Sequence, residues 1–197
     1  MYSDNNTDAQ GSTPDGEGNT TAHGSLHGMA RRIEHRASTR WTADQVSAAL
    51  VDPAYLRDRL AALGGGGATL LEHNSTNGDT RFRLRHAVPA TDLPSAIRGF
   101  LKGDLMIERT ETWQRAEDGS HVGTVEAGVP GVPGHIRGTM RLSDDTDGGS
   151  TILMEGQVVV NIPLLGGKVE DVIATQVTRL LGKEFEHTTN WLAAHDH

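Results

Sequence analysis

The stretch NIPLLGGKVEDVIATQVTRLLGKEFEHTTNWLAAHDH (residues 161–197) decides which folds are open to this chain. From about Gly167 to Ala194, apolar residues recur at steps of three and four, which is the pattern of a single amphipathic helix. At about 1.5 Å per residue this helix is roughly 40 Å long. Glu170 and Asp171 fall in its first turn, where the helix dipole favours acidic side chains. Such a helix must bury its apolar stripe, so the rest of the chain has to provide a wide surface.

Seven predicted strands provide that surface. Each shows alternation of apolar and polar residues or a short apolar run bounded by turn residues. They are residues 31–39, 68–74, 80–88, 105–116, 121–129, 135–143 and 150–161. Between the second and third strands, Asn77-Gly78 is a strong signal for a tight hairpin, so neighbouring strands are expected to be antiparallel.

Two short helices are predicted between the first and second strands. Thr42 and Gln45 have the spacing of a capping box, which satisfies free N–H groups at a helix start. Asp52 followed by Pro53 marks a second start, and the run Gly64 to Gly67 ends that helix. The order is therefore strand, two short helices, six strands and one long helix. An antiparallel sheet has one face to bury, so we predict an α+β fold in which a curved sheet wraps around the long C-terminal helix.

Several segments of the chain resemble a known superfamily. They are MARRIEHRAS (29–38), AYLRDRLAALGG (54–65), ERTETW (108–113), GVPGHIRGTMRL (131–142) and IPLLGGKVEDVIATQV (162–177). With the order of elements, they resemble the helix-grip proteins of the START-like superfamily, also called SRPBCC or Bet v 1-like, over residues 29–194. The chain most resembles a branch of uncharacterised function, related to polyketide cyclases and lipid-transport proteins.

The resemblance implies a deep cavity between the sheet and the C-terminal helix. Relatives bind lipids, sterols, polyketides or plant hormones there, and some of them cyclise polyketides. No catalytic motif is common to these proteins, so the resemblance assigns no catalytic residue, and we predict none. The fold is implied more strongly than the function, because one fold hosts many functions.

Charge and composition divide the chain into two parts. Residues 1–28 carry four acidic residues and no Lys or Arg, half of the net charge of −8. They contain too few apolar residues to offset the entropy of ordering. We predict a disordered acidic tail over residues 1–28 and a single START-like domain over residues 29–197.

Composition also excludes several classes of function. In the basic run RFRLRH (81–86), the arginines alternate with apolar residues, which is typical of a strand with one solvated face. No nucleic-acid interface is therefore predicted. The absence of cysteine excludes disulfides and thiolate catalysis. No apolar run has the length of a transmembrane helix, and we expect a cytoplasmic protein. We predict no metal and no cofactor, and no Ser–His–Asp set is discernible. The oligomeric state is not predicted.

Strand alternation assigns the side chains that point toward the helix, and these form the candidate ligand pocket. The apolar candidates are Ile33, Leu84, Ile107, Trp113, Ile136, Met140, Met154, Val158 and Val160, together with Val177, Leu181 and Phe185 of the helix. Four polar residues share the inward phase: His35, His86, Arg109 and Glu111. A buried charge is costly unless it is paired. Arg109 and Glu111 therefore either pair with each other or fix the polar end of a ligand.

Three functions fit this pattern. The leading hypothesis is a carrier or sensor that binds a small hydrophobic or amphipathic molecule between sheet and helix. The second is an enzyme of the polyketide cyclase or aromatase kind, which needs the same cavity and a positioned acid–base group. The third is a protein-interaction module with a packed core, its contact segment being AVPATDLPSAIRGFLKG (87–103), in which Ile97, Phe100 and Leu101 are apolar.

Overall fold

The structure is a computed structural model that describes residues 30–92, 95–99, 103–161 and 166–195. The elements are β1 (Arg31–Thr39), α1 (Ala43–Val51), α2 (Pro53–Leu63), β2 (Thr69–Thr76), β3 (Asp79–Val88), a 3₁₀ turn (Ala90–Asp92), α3 (Ser95–Arg98), β4 (Leu105–Arg115), β5 (His121–Gly128), β6 (Gly134–Asp144), β7 (Ser150–Val160) and α4 (Gly166–His195). The predicted tail (1–28), Phe100 and Leu101 lie outside the described residues, and the side chain of Ile97 is not described either.

The seven strands form one antiparallel sheet in the order β1-β7-β6-β5-β4-β3-β2. Every sequence neighbour from β2 to β7 is also a spatial neighbour, and β1 pairs with β7. The first and last strands of the chain are therefore adjacent. This arrangement confirms the predicted α+β helix-grip fold with seven strands, two helices after the first strand and a long C-terminal helix.

The local signals for the two short helices and the hairpin are confirmed. The Thr42 side chain accepts from the Gln45 backbone N–H, and the Gln45 side chain accepts from the Thr42 N–H. The Asp52 carboxylate caps α2 by accepting from the Ala54 N–H at 2.7 Å. Asn77 and Gly78 both have positive φ, 54° and 90°, which the tight turn between β2 and β3 requires.

The helix α4 lies against β1 and β7 on one side and against α1 and α2 on the other. The core between these layers is apolar over most of its extent. Its buried members include Ile33, Tyr55, Leu56, Leu60, Phe82, Leu84, Trp113, Val125, Met140, Leu142, Met154, Val158, Val160, Val169, Ala174 and Leu181. The backbone of α4 approaches β1 and β7 most closely, so long side chains bridge the space between α4 and β4.

The outer face of the sheet is covered with paired charges. Arg83 lies 2.9 Å from a carboxylate oxygen of Glu72, and Arg85 lies 3.0 Å from one of Glu108. The basic run on β3 is thus part of a solvated strand face in which acids on β2 and β4 balance the arginines. Among the described residues, no helix is both long and apolar enough to cross a membrane.

Candidate functional site

Four charged side chains meet in the interior between the sheet and α4. Arg109 and Glu111 come from β4, Arg59 from α2 and Glu184 from α4, and each is less than a tenth exposed. Arg109 lies at the centre. Its Nη1 donates to both carboxylate oxygens of Glu184 at 2.9 Å, and its Nε lies 2.8 Å from Glu111 Oε1. We call these four residues the charge cluster.

Arg59 is held more loosely than Arg109. Its Nη2 lies 3.4 Å from Glu111 Oε1, and its Nη1 lies 3.9 Å from Glu184 Oε2. Its guanidinium carbon lies 5.6 Å from the centre of the Tyr55 ring. Its Nε is buried and has no hydrogen-bond partner among the described residues. The Nε of Arg109 also lacks a hydrogen-bond partner among the described residues, despite its short distance to Glu111. The two arginines therefore differ in their Nη contacts, which are short for Arg109 and long for Arg59.

The local structure explains why these side chains point inward. Arg109 and Glu111 are two residues apart on β4 and so share a face; Trp113 follows in the same phase, and its Nε1 donates to Glu111 Oε2 at 3.3 Å. Arg59 stands in the apolar stripe of α2, between Leu56 and Leu60. Glu184 stands three residues after Leu181 in the stripe of α4.

A second polar contact ties α2 to α4 beside the cluster. The Thr188 hydroxyl donates to the carbonyl oxygen of Glu184 at 2.8 Å. Since that uses its only proton, the Tyr55 hydroxyl is the donor in the 2.6 Å contact between Tyr55 and Thr188. Tyr55 is fully buried. The side of the cluster away from the sheet is therefore closed by an ordered hydrogen-bond chain.

The cluster is electrically balanced, with two positive and two negative side chains. Burial acts to raise the pKa of Glu184, but Arg109 and Arg59 outweigh it and lower that pKa to about 2. Burial likewise acts to lower the pKa of Arg59, and Glu184 and Glu111 raise it above its ordinary value. The formal charges of the two arginines and two carboxylates sum to zero.

Two histidines border the cluster as neutral groups. Burial, reinforced by Arg109, lowers the pKa of His86 to about 4. Burial also lowers the pKa of His35, partly opposed by Glu184. In both rings Nε2 is buried and lacks a hydrogen-bond partner among the described residues. These nitrogens are unused hydrogen-bonding groups inside the fold, and neither imidazole is a strong base.

A cavity of about 40 Å³ lies beside the charge cluster. It is lined by His35, Leu50, Arg59, Arg109, Glu111, Trp113, Met140, Ile152, Met154, Leu181, Glu184, Phe185 and Thr188. That volume holds about one water molecule. The deep cavity that the resemblance implied is thus, at this place, a narrow space with charged groups on one part of its wall and apolar side chains on the rest, because four long charged side chains occupy it.

The predicted pocket residues fall into three groups. The lining of this cavity includes His35, Arg109, Glu111, Trp113, Met140, Met154, Leu181 and Phe185. The surrounding core buries Ile33, Leu84, His86, Val158 and Val160. Three others, Ile107, Ile136 and Val177, are only half-buried. Ile136 and Val177 of the last group pack against the margin of the core.

Sequence reasoning missed Arg59 and Glu184, which complete the cluster. Neither was among the predicted site residues, because charged residues on helices are usually exposed. A signal was present, since Arg59 follows Tyr55 by four residues and Leu56 by three and so shares their helix face. Glu170 was missed in the same way. It was assigned to the helix dipole, whereas it is fully buried and accepts from the Val160 N–H at 2.8 Å.

The structure also brings together a Ser–His–Asp set that the sequence did not reveal. His121 on β5 contacts the Ser47 hydroxyl through Nδ1 at 3.0 Å and the Asp44 carboxylate through Nε2 at 2.7 Å. The residue types are those of a catalytic triad, but the two ring nitrogens are exchanged, since in a triad Ser contacts Nε2 and Asp contacts Nδ1. Moreover, Ser47 lies on the buried face of α1, where a substrate does not reach its hydroxyl. The set fastens α1 to the sheet.

A wider, shallow groove of about 280 Å³ lies elsewhere on the surface. It runs between α1 and the end of α4, and its lining includes Trp41, Gln45, Asp52, Trp191 and His195. Trp191 and His195 stack with ring centres 3.9 Å apart. None of the charge-cluster residues lines this groove, so we regard the interior cavity as the candidate site.

Comparisons with known proteins agree with this architecture. The model of a family described as protein of unknown function DUF2505 matches residues 34–192. An uncharacterized protein of Mycobacterium tuberculosis is 28% identical over 170 residues, which covers 83% of this chain and 98% of the relative.

Solved structures show the same fold at low sequence identity. A Thermus thermophilus protein matches with a TM-score of 0.57 and 11% identity, over 85% of this chain and all of that one. A STAR-related lipid transfer protein from Xanthomonas axonopodis matches with a TM-score of 0.51 and 17% identity, over 78% of this chain and 82% of that fragment. At these identities the likeness establishes the START-like fold alone.

Proposed function

The chain belongs to the DUF2505 family of proteins of unknown function, and we propose that it binds a small hydrophobic or amphipathic molecule between the sheet and α4. The molecule's apolar part contacts the aliphatic walls of the grip, and its polar end meets the charge cluster. The function is that of a carrier or sensor. The STAR-related lipid transfer protein among its structural neighbours supports this proposal by its name.

The observation that carries the proposal is the buried charge cluster itself. A buried ion pair rarely adds net stability over well-packed apolar residues of similar volume, because desolvation of the charges offsets their attraction. Four charges in the centre of a small domain are therefore a poor way to stabilise it. They are well suited to orienting a polar group, because fixed dipoles and donors act strongly where water is scarce.

Half-buried apolar side chains are available to contact the apolar part of the ligand. Ile107 pairs with His86 across β3 and β4, and Ile136 and Val177 remain half-buried on the same inner side. Phe185 is half-buried as well and also lines the cavity. Covering these side chains with a ligand stabilises the complex by about 25 cal/mol for each Å² of apolar surface removed from water.

Binding is coupled to opening of the grip. A cavity of about 40 Å³ is far smaller than the roughly 300 Å³ or more of a typical ligand pocket. Side chains such as Phe185 must therefore rotate, or α4 must shift away from β4, when the ligand enters. The bound state then differs from the structure described here by repacking around the charge cluster.

Native mass spectrometry of protein purified from its own host tests the proposal. We expect a discrete excess mass that disappears when the same sample is denatured. Val177→Phe, which fills the inner side of α4, should abolish the excess mass, whereas the matched control Thr175→Phe on the exposed side should keep it. If no excess mass is found and the neutral dye Nile red also fails to bind, the proposal is wrong.

A polyketide cyclase-like enzyme and a packed interaction module remain the alternatives. The first needs a general base, and the low pKa of His86 makes that residue a weak one. Turnover of a polyketide substrate that is lost in His35→Phe, with ligand binding retained, would favour the enzyme over the carrier.

A further inference from the structure

We propose that the ligand's polar end is an uncharged oxygen, a carbonyl or hydroxyl group, that accepts a hydrogen bond from Arg59. This inference rests on the function proposed above and narrows it to a ligand class. It excludes ionised carboxylic acids and protonated amines as preferred ligands.

The spare donor capacity of Arg59 is the first argument. A guanidinium has five N–H donors, and the contacts of Arg59 with the two carboxylates are long, at 3.4 and 3.9 Å. Its Nε is buried without a partner among the described residues. Arg109 Nε is without a hydrogen-bond partner as well, but Arg109 Nη1 donates to both carboxylate oxygens of Glu184 at 2.9 Å. An acceptor that enters the cavity therefore finds a free donor on Arg59.

The charge balance is the second argument. Arg59 and Arg109 are matched by Glu111 and Glu184 within one contact network. An entering carboxylate would give the buried network a net negative charge next to two glutamates. An entering ammonium would give it a net positive charge next to two arginines. Uncompensated buried charge is costly, whereas a neutral oxygen leaves the balance unchanged.

The size and lining of the cavity are the third argument. About 40 Å³ admits a single small polar group in place of about one water molecule. His35 also lines this cavity, and its Nε2 is buried without a partner. A hydroxyl can accept from Arg59 and donate to this imidazole nitrogen, and a carbonyl can accept from both residues.

A chain-matched series of small molecules tests the inference on the wild-type protein. Decanol, 2-decanone, decanoate and decylamine would compete with bound Nile red at pH 7.4, where the acid and the amine are ionised. We expect decanol and 2-decanone to displace the dye at concentrations at least tenfold below those of decanoate and decylamine. Displacement by decanoate or decylamine at equal or lower concentration overturns the inference and leaves the proposed function standing.

Two variants sharpen the test by changing the balance of charge. Glu184→Gln leaves the cluster with one excess positive charge, so decanoate should gain at least tenfold relative to decanol. Arg59→Met leaves one excess negative charge and removes the donor, so decylamine should gain instead. Glu126→Gln on the exposed face should leave the order unchanged. An unaltered order in the two folded cluster variants contradicts the inference, whereas a wild-type protein that does not bind Nile red overturns the proposed function with it.

Discussion

Replacing Arg109 with Met should destabilise the protein by about 3–5 kcal/mol, the usual cost of leaving a buried charge without its partner. Glu184 would lose both of its 2.9 Å contacts and keep only Arg59 at 3.9 Å. The pKa of Glu184 agrees in direction, because Arg109 is the first of the charged groups that lower it against the opposing effect of burial.

The assay is urea unfolding at pH 7, followed by circular dichroism, for Arg109→Met, Glu184→Met and the double variant. The double variant leaves Arg59 paired with Glu111 and no excess charge. It should therefore recover at least about 2 kcal/mol relative to the sum of the two single changes. The exposed pair Arg137–Glu126, with both side chains 60% exposed, serves as the control. Arg137→Met should cost less than about 1 kcal/mol.

Two results would refute this reasoning. A loss below about 1 kcal/mol in Arg109→Met would show that water or a rearranged Arg59 replaces the missing partner at little cost. Strict additivity in the double variant would show that Arg109 and Glu184 are not energetically coupled, whatever their distance.

Three further outcomes follow from single residues. The pKa of His86 is about 4 in the folded state against 6.5 for the free side chain, so the unfolded state takes up a proton first as the pH falls. Neutral His86 therefore contributes about 3 kcal/mol to the free energy of unfolding above pH 6.5, and this contribution is lost as the pH falls toward 4. Melting temperatures between pH 7 and pH 4.5 should fall less in His86→Leu, and parallel curves would contradict the assignment. Tyr55→Phe should cost about 1 kcal/mol in urea unfolding, because Thr188 loses its buried donor; an unchanged midpoint would argue against the hydrogen bond. In Gly123→Ala the new Cβ would lie 2.5 Å from the Thr112 carbonyl oxygen, so a loss of about 1–3 kcal/mol is expected, and wild-type stability would show that the strand shifts freely.

Local signals in the sequence predict the fold because each reports on its own neighbourhood. The capping box at Thr42, the proline after Asp52 and the Asn77-Gly78 turn each depend on residues a few positions apart. The helical period of α4 and the alternation of the strands give each an apolar face, and packing the sheet against α4 buries both faces together. The inward positions of Arg109 and Glu111 also follow from alternation alone.

The charge cluster could be predicted only in part, because its partners are far apart in the chain. Arg109 and Glu184 are separated by 75 residues, and Arg59 and Glu111 by 52. Alternation assigns a face to a residue but does not say which residue of another element lies opposite. The small volume of the cavity could not be predicted for the same reason. The space that remains depends on how far side chains from three different elements reach into it, and not on their hydrophobicity.

The position of α4 at the end of the chain has a consequence for synthesis. β1 has no strand partner until β7 has been made, and α4, which packs against both strands, follows later still. Until then Glu184 is absent, and we expect Arg59, Arg109 and Glu111 to be more exposed to water than in the folded protein. Charges at the centre of an uncovered sheet discourage its association with other chains. We therefore expect the same side chains that reduce the room for a ligand in the finished protein to oppose aggregation of its unfinished form.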